Sequence, residues 1–158
     1  LFLASDVNYD TLSLIVQTTR KHGNEHRLLW DLMKLPHHCS YLALSHECGE
    51  DETKPVPEVA WLFEDRRNQG GDIISPSCPI PSKGSEADKS NQPPHRQAAN
   101  YHKRISGEKN GEFTVTMEHP STEKPERFAY KVTERGIAFD LAAPMVSTVA
   151  AASTTRAG

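Results

Sequence analysis

Short apolar stripes separated by chain-breaking positions fill the first 67 residues. Leu12, Ile15, Val16 and Thr19 recur at the spacing of one helical face, and Asp10 stands ready as the N-cap. Gly23-Asn24 interrupts that face. Leu28, Leu29, Leu32 and Met33 then resume a stripe that Pro36 stops, which predicts a second helical stretch. Tyr41 to Leu44 is a short apolar run that suits helix or strand equally. Pro57 sits where a first helical residue belongs, with Val59, Ala60, Leu62 and Phe63 as the buried face. Residues 68–93 break the pattern. Gly70-Gly71, Pro76, Pro79, Pro81 and Pro93 punctuate them, and only Ile73, Ile74 and Ile80 are large and aliphatic. They read as a connector whose composition favours disorder over much of its length.

The pattern is most regular over residues 94–142. Ala98, Tyr101, His102 and Ile105 form the apolar face of a helix ending near Gly107. Arg96, Asn100 and Lys103 fall on the opposite face, with Arg104 on its flank. Phe113, Val115 and Met117 then alternate with Glu112, Thr114, Thr116 and Glu118, and Phe128, Tyr130 and Val132 form a second alternating run. The polar, proline-containing segment between them predicts an antiparallel hairpin with Phe113 and Phe128 on one face. Thr133 is available to cap a short helix carrying Ile137, Ala138 and Leu141, stopped by Pro144. Residues 143–158, rich in Ala, Ser and Thr, read as a fraying tail.

A basic amphipathic helix, a hairpin with a polar tip and then Val132-Thr133-Glu134-Arg135-Gly136 resemble the back half of winged-helix bacterial transcription regulators. The resemblance covers residues 94–142 only. It implies an α+β, helix-rich single domain with one antiparallel β-hairpin, winged-helix-like in arrangement. It further implies that Arg96, Asn100, Lys103 and Arg104 face double-stranded DNA, with Lys124 and Arg127 on or beside the wing. The sequence departs from that pattern just upstream, because residues 82–92 offer only Ala87 to pack a preceding helix.

Charge supplies a rival. Between Pro93 and Ser106 there are three basic residues and no acid, whereas residues 47–65 hold Glu47, Glu50, Asp51, Glu52, Glu58, Glu64 and Asp65 against Lys54 alone. That acidic run suits a non-enzymatic interaction module, an inhibitor or a nucleic-acid mimic that engages a basic protein partner. The whole chain carries a formal charge of −3, which excludes a bulk polybasic nucleic-acid binder. No apolar run approaches the roughly 18 residues of a membrane span. Leu1 to Ala4 are apolar but lack a preceding basic region, so no secretory signal is expected; three cysteines make a poor disulfide set, and a cytoplasmic setting follows.

Two histidine groups carry the remaining chemistry. His22-Gly-Asn-Glu25-His26 has the H-x-x-E-H spacing that resembles inverted zinc metallopeptidases, which implies a small zinc-dependent hydrolase as a further alternative. Gly23-Asn24 inside the motif disfavours the continuous helix it needs. His37, His38, Cys39, His46 and Cys48 lie close together, and Cys78 offers a fourth-ligand candidate, yet no paired C-x2-C knuckles occur. Neither group gives a convincing four-ligand set. The expectation is therefore a protein with no cofactor and no stoichiometric zinc. Phosphate-binding glycine loops and the G-x-S-x-G nucleophile motif are absent, so the sequence favours a non-enzyme.

Overall fold

The computed structural model describes residues 1–127, 129–134 and 136–140. Helices and strands are mixed, as expected, but the main sheet is parallel. Its four strands are β1 (Phe2–Leu3), β2 (Trp30–Lys34), β3 (Arg67–Ser75) and β4 (Phe113–Val115), arranged in chain order. Parallel neighbours require long crossovers, and each one here carries a helix. Helix α1 (Tyr9–Lys21) joins β1 to β2. Helix α2 (Pro57–Ala60), prolonged by a π-helical turn at Trp61–Asp65, precedes β3. Helix α3 (Arg96–Glu108) joins β3 to β4.

One core unites the crossovers with the sheet. Leu12 and Val16 of α1, Val59 of α2, Leu62 and Phe63 of the π-turn, and Ala98, Tyr101 and Ile105 of α3 pack with Met33 and Ile73. Met33 and Ile73 are paired across β2 and β3, so they present one sheet face to the helices. The apolar stripes of α1 and α3 are thus buried as their periodicity predicts. Asn8, rather than Asp10, caps α1, its Oδ1 accepting from the Thr11 amide at 3.0 Å. Pro57 opens α2 as expected. The π-turn leaves the Leu62 carbonyl to accept from the buried Trp30 indole at 2.9 Å.

Several expectations need correction. The stripe Leu28, Leu29, Leu32 and Met33 is not helical: a 3-10 turn, Glu25–Leu28, leads into β2. A strand buried on both faces reads as a near-continuous apolar run, which a short helical stripe imitates. Tyr41–Ala43 form a 3-10 turn. The start of the supposed connector, residues 68–75, is most of β3, the strand flanked by both β2 and β4. Gly71 in this strand allows close packing: a side chain there would meet Arg67, and one at Gly111 in the following segment would collide with the Gly71 carbonyl.

The winged-helix arrangement is also corrected. Phe113–Val115 pair in parallel with Ile73–Ser75, not with the run around Tyr130. The antiparallel hairpin is instead β5 (Tyr130–Thr133) with β6 (Gly136–Phe139). Ile137 and Ala138 are therefore in a strand, where a short helix was expected. Alternation identified Phe113–Val115 and Tyr130–Thr133 as strands but carries no information about partners. Phe128, Leu141 and the 143–158 tail lie outside the described residues. The hairpin lies on the sheet face opposite the helices, where Tyr130 Oη reaches Asp72 Oδ2 at 3.3 Å and β6 contacts β2. Among the described residues, no helix is long and apolar enough to cross a membrane.

Candidate functional site at the carboxyl edge of the sheet

All four main-sheet strands run the same way, so their carboxyl ends share one edge, the usual place for ligand chemistry in open parallel sheets. After β1 comes Ala4-Ser5-Asp6, after β2 Leu35-Pro36-His37-His38-Cys39, and after β3 Pro76-Ser77-Cys78. Four of the sequence candidates, His37, His38, Cys39 and Cys78, arrive there, together with Asp6, which the sequence reading did not single out.

His37, His38 and Cys39 adopt φ values of 50°, 52° and 63°, three successive left-handed residues without a glycine among them. Each such residue costs about 1–2 kcal/mol, so the surrounding structure must hold the turn. The His37 amide donates to the Ser5 carbonyl at 3.1 Å, and the His95 amide donates to the Cys39 carbonyl at 3.0 Å. The turn is thereby tied to the end of β1 on one side and to the entry of α3 on the other.

The side chain of His38 is oriented by its surroundings. Its Nδ1 lies 2.8 Å from the Pro76 carbonyl. A carbonyl only accepts, so Nδ1 carries the hydrogen, and Nε2 of the neutral ring is a bare lone pair. That Nε2 faces Asp6 Oδ1 at 3.7 Å, with the two side chains 56% and 70% exposed. A proton or a metal ion between the two would join them. Behind them, His95 is buried with neither ring nitrogen hydrogen-bonded, its ring edge-on to Tyr41 at 4.8 Å. Burial first, and then the neighbouring His37, hold the His95 pKa below its usual value. The His37 Nδ1 is likewise buried without a partner.

The cysteines do not complete this group. Cys39 is fully buried, and desolvation pushes its thiol up to about 12, so it is an inert core side chain. Cys48 is half-buried and Cys78 exposed. His46 leaves the edge altogether, sitting 3.6 Å from Glu47 and against the Tyr9 ring. Among the described residues, no group of three or more His, Cys, Asp or Glu side chains is placed to hold a metal ion. The His22, Glu25 and His26 spacing is not realised on a helix. His22 caps α1, Gly23 turns at φ 66°, and Glu25 and His26 belong to the following 3-10 turn.

The expected DNA-facing side chains of α3 meet the acidic segment instead. Arg96, only 11% exposed, donates to Asp88 Oδ1 at 3.1 Å and to the Glu50 carbonyl at 2.9 Å. Asn100 donates to the Asp51 carbonyl at 2.7 Å. Arg104 grips Glu52 at 2.9 Å and Glu108 at 2.8 Å, and these carboxylates raise its pKa further. Lys103 lies over the Phe113 ring at 5.8 Å. Lys124 pairs with Glu126 at 2.9 Å, and Arg127 is exposed near the hairpin. The acidic run is occupied in part: Glu58 accepts from Gln17 at 2.9 Å and Glu64 from the Tyr101 hydroxyl at 3.0 Å, while Glu47, Glu50, Asp51 and Asp65 are exposed.

The signal for the edge site was present in sequence. Apolar runs ending in Ala-Ser-Asp6 and in Leu-Pro-His-His38 are two strand exits bearing polar side chains. Comparison with protein-family models, with curated proteins and with solved structures finds no match to this chain.

Proposed function

We propose that the carboxyl edge is a divalent-metal site for hydrolysis, with His38 Nε2 and Asp6 Oδ1 as the two ligands supplied by the described residues. The observation that carries this reading is the bare Nε2, fixed by the bond from Nδ1 to the Pro76 carbonyl and aimed at a carboxylate oxygen 3.7 Å away. Imidazole ligands are commonly oriented by such a second bond to a backbone carbonyl. His38 Nε2 and Asp6 Oδ1 would hold the ion, and both side chains are exposed enough to admit water and substrate beside it. The chemistry such an ion would supply is acidification of a bound water for hydrolysis, and Asp6 would keep a second carboxylate oxygen able to accept a proton.

The DNA-reading helix draws less support, because Arg96, Asn100 and Arg104 already use their donors within the chain. The acidic interaction surface keeps Glu47, Glu50, Asp51 and Asp65 exposed, but Glu52 is spent on Arg104 and Glu64 on Tyr101. Mn²⁺ titration monitored by NMR tests the proposal. Broadening should centre on residues around Asp6 and His38, vanish in Asp6→Asn and in His38→Gln, and persist in His26→Gln. Broadening that ignores both edge variants would defeat it. Salt-sensitive duplex binding that Lys103→Ala abolishes would restore the DNA reading.

A further inference from the structure

A cavity of about 460 Å³ opens where the β5–β6 hairpin meets the main sheet, and it shares no residue with the His38–Asp6 pair. Three rings, His119, Tyr130 and Phe139, and two carboxylates, Asp72 and Glu112, stand in its walls. Tyr130 and Phe139 are directly opposed across the hairpin, so their side chains emerge on one face. Their rings stand at 87° with centroids 5.5 Å apart, and the His119 ring stands at 65° to Phe139 at 5.7 Å. Rings set steeply to one another form a corner rather than a stack, as the walls of an aromatic cage for an ammonium group do. The carboxylates supply charge beside that corner. Asp72 is fixed there, its Oδ1 accepting from the Glu112 amide at 2.9 Å and its Oδ2 from the Tyr130 hydroxyl at 3.3 Å. Burial first, and then the charges of Asp72 and Glu112, raise the Tyr130 pKa, so both carboxylates act on that ring and it stays a neutral phenol. Neither carboxylate forms an ion pair among the described residues.

We infer that this cavity binds a small quaternary ammonium ion, its methyl groups against the His119, Tyr130 and Phe139 rings and its charge balanced by Asp72 and Glu112. The site is independent of the edge and stands whether or not a metal binds there. Charge sets the sign, because two carboxylates line the cavity and no lysine or arginine does. The rings set the kind of cation. Ring faces attract a methylated ammonium and replace its water at little cost, which the compact, strongly hydrated ammonium of a lysine resists. Volume admits a trimethylammonium group with a short alkyl arm. A phosphate next to the ammonium would meet the same two carboxylates, so a free ammonium alcohol fits and a phosphocholine headgroup does not.

NMR titration of the whole chain with choline tests this, with phosphocholine and with dimethylbutanol, the uncharged isostere of choline, as comparisons. Choline should shift the amides of Glu112, Tyr130 and Phe139 and bind roughly tenfold tighter than dimethylbutanol. Phosphocholine should bind more weakly than choline. Glu112→Gln changes an exposed side chain and keeps the fold, so it should weaken choline about threefold and leave dimethylbutanol unaffected. Phe139→Leu should erase most of the preference for choline over its isostere. The Glu112 variant keeps the test decisive even if loss of the Phe139 ring loosens the hairpin. Absence of shifts with choline, or equal binding of choline and dimethylbutanol, would overturn the site. Choline binding indifferent to Glu112→Gln, or phosphocholine bound as tightly as choline, would remove the carboxylates from it and overturn the inference as well.

Discussion

The outer face of α3 and the His37–Cys39 turn both carry cationic or imidazole groups, and they are built in opposite ways. On α3, Arg96 is nearly covered and has oxygen partners from Glu50 and Asp88, Asn100 is held by Asp51, and Arg104 by Glu52 and Glu108. Donors and acceptors are matched within the chain, on regular helical backbone. The edge turn has three left-handed residues in succession, an exposed imidazole with a bare nitrogen, and buried His37 and His95 nitrogens without partners. Matched charge holds the acidic loop to the helix. Mismatch and strain, maintained by bonds to Ser5 and His95, mark the place where a ligand changes the energy most.

The contrast is broken most severely by removing the clasp on α3. Arg96→Ala deletes a mostly covered guanidinium and leaves acceptors on Glu50 and Asp88 without their donor. We expect about 2–3 kcal/mol of lost stability, read as a shift in urea midpoint. An unchanged midpoint would show that the clasp is decorative, and the face would then be open for other use.

Histidine titration gives the next effect. His102 is fully buried beside Phe63 and Phe113, and desolvation pushes its pKa down to about 3. The unfolded chain binds its proton near pH 6.5 and the folded chain does not, so stability is complete above that pH. It falls as pH drops through the window between the unfolded and folded values. Between about pH 6.5 and 5 the loss is about 2 kcal/mol from this group, and His95, shifted in the same direction by burial, adds to it. His102→Leu should flatten part of that slope. A variant with the parent pH dependence would assign the slope to other groups.

Smaller effects are expected at the edge itself. His38→Gln and Asp6→Asn alter exposed side chains and should change stability by about 0.5 kcal/mol or less. His37→Gly should stabilise by up to about 1 kcal/mol, because glycine accepts the left-handed conformation without penalty. Destabilisation of several kcal/mol by either ligand variant would make the pair structural, and the comparison with α3 would lose its meaning.

The helices were legible because their burial follows a single period. Leu12 and Val16, and then Ala98, Tyr101, His102 and Ile105, could be read directly, and Pro57 marked its own helix start. The sheet was less so. Leu28 to Met33 satisfy helical and strand spacing over so short a run that only the outcome of packing separates them. Gly70-Gly71 disguised the strand whose neighbour must pass close by. Phe113–Val115 announced a strand without announcing Ile73–Ser75 as its partner. The site suffered from the same gap. His37 and His38 stood out by residue type, but Asp6 becomes their neighbour only because β1 pairs with β2. Likewise Arg96 and the Glu50–Glu52 segment were each visible, one as a basic face and one as an acidic run, while their mutual contact depends on tertiary structure.

The protonation state of His38 tests the central claim most directly. Long-range proton–nitrogen NMR on the whole chain, above the usual histidine titration range, should show a neutral ring with the hydrogen on Nδ1. Adding Zn²⁺ should then shift Nε2 while Nδ1 keeps its bond to Pro76, and Asp6→Asn should weaken that response. A ring with its hydrogen on Nε2, unmoved by Zn²⁺, would contradict the account.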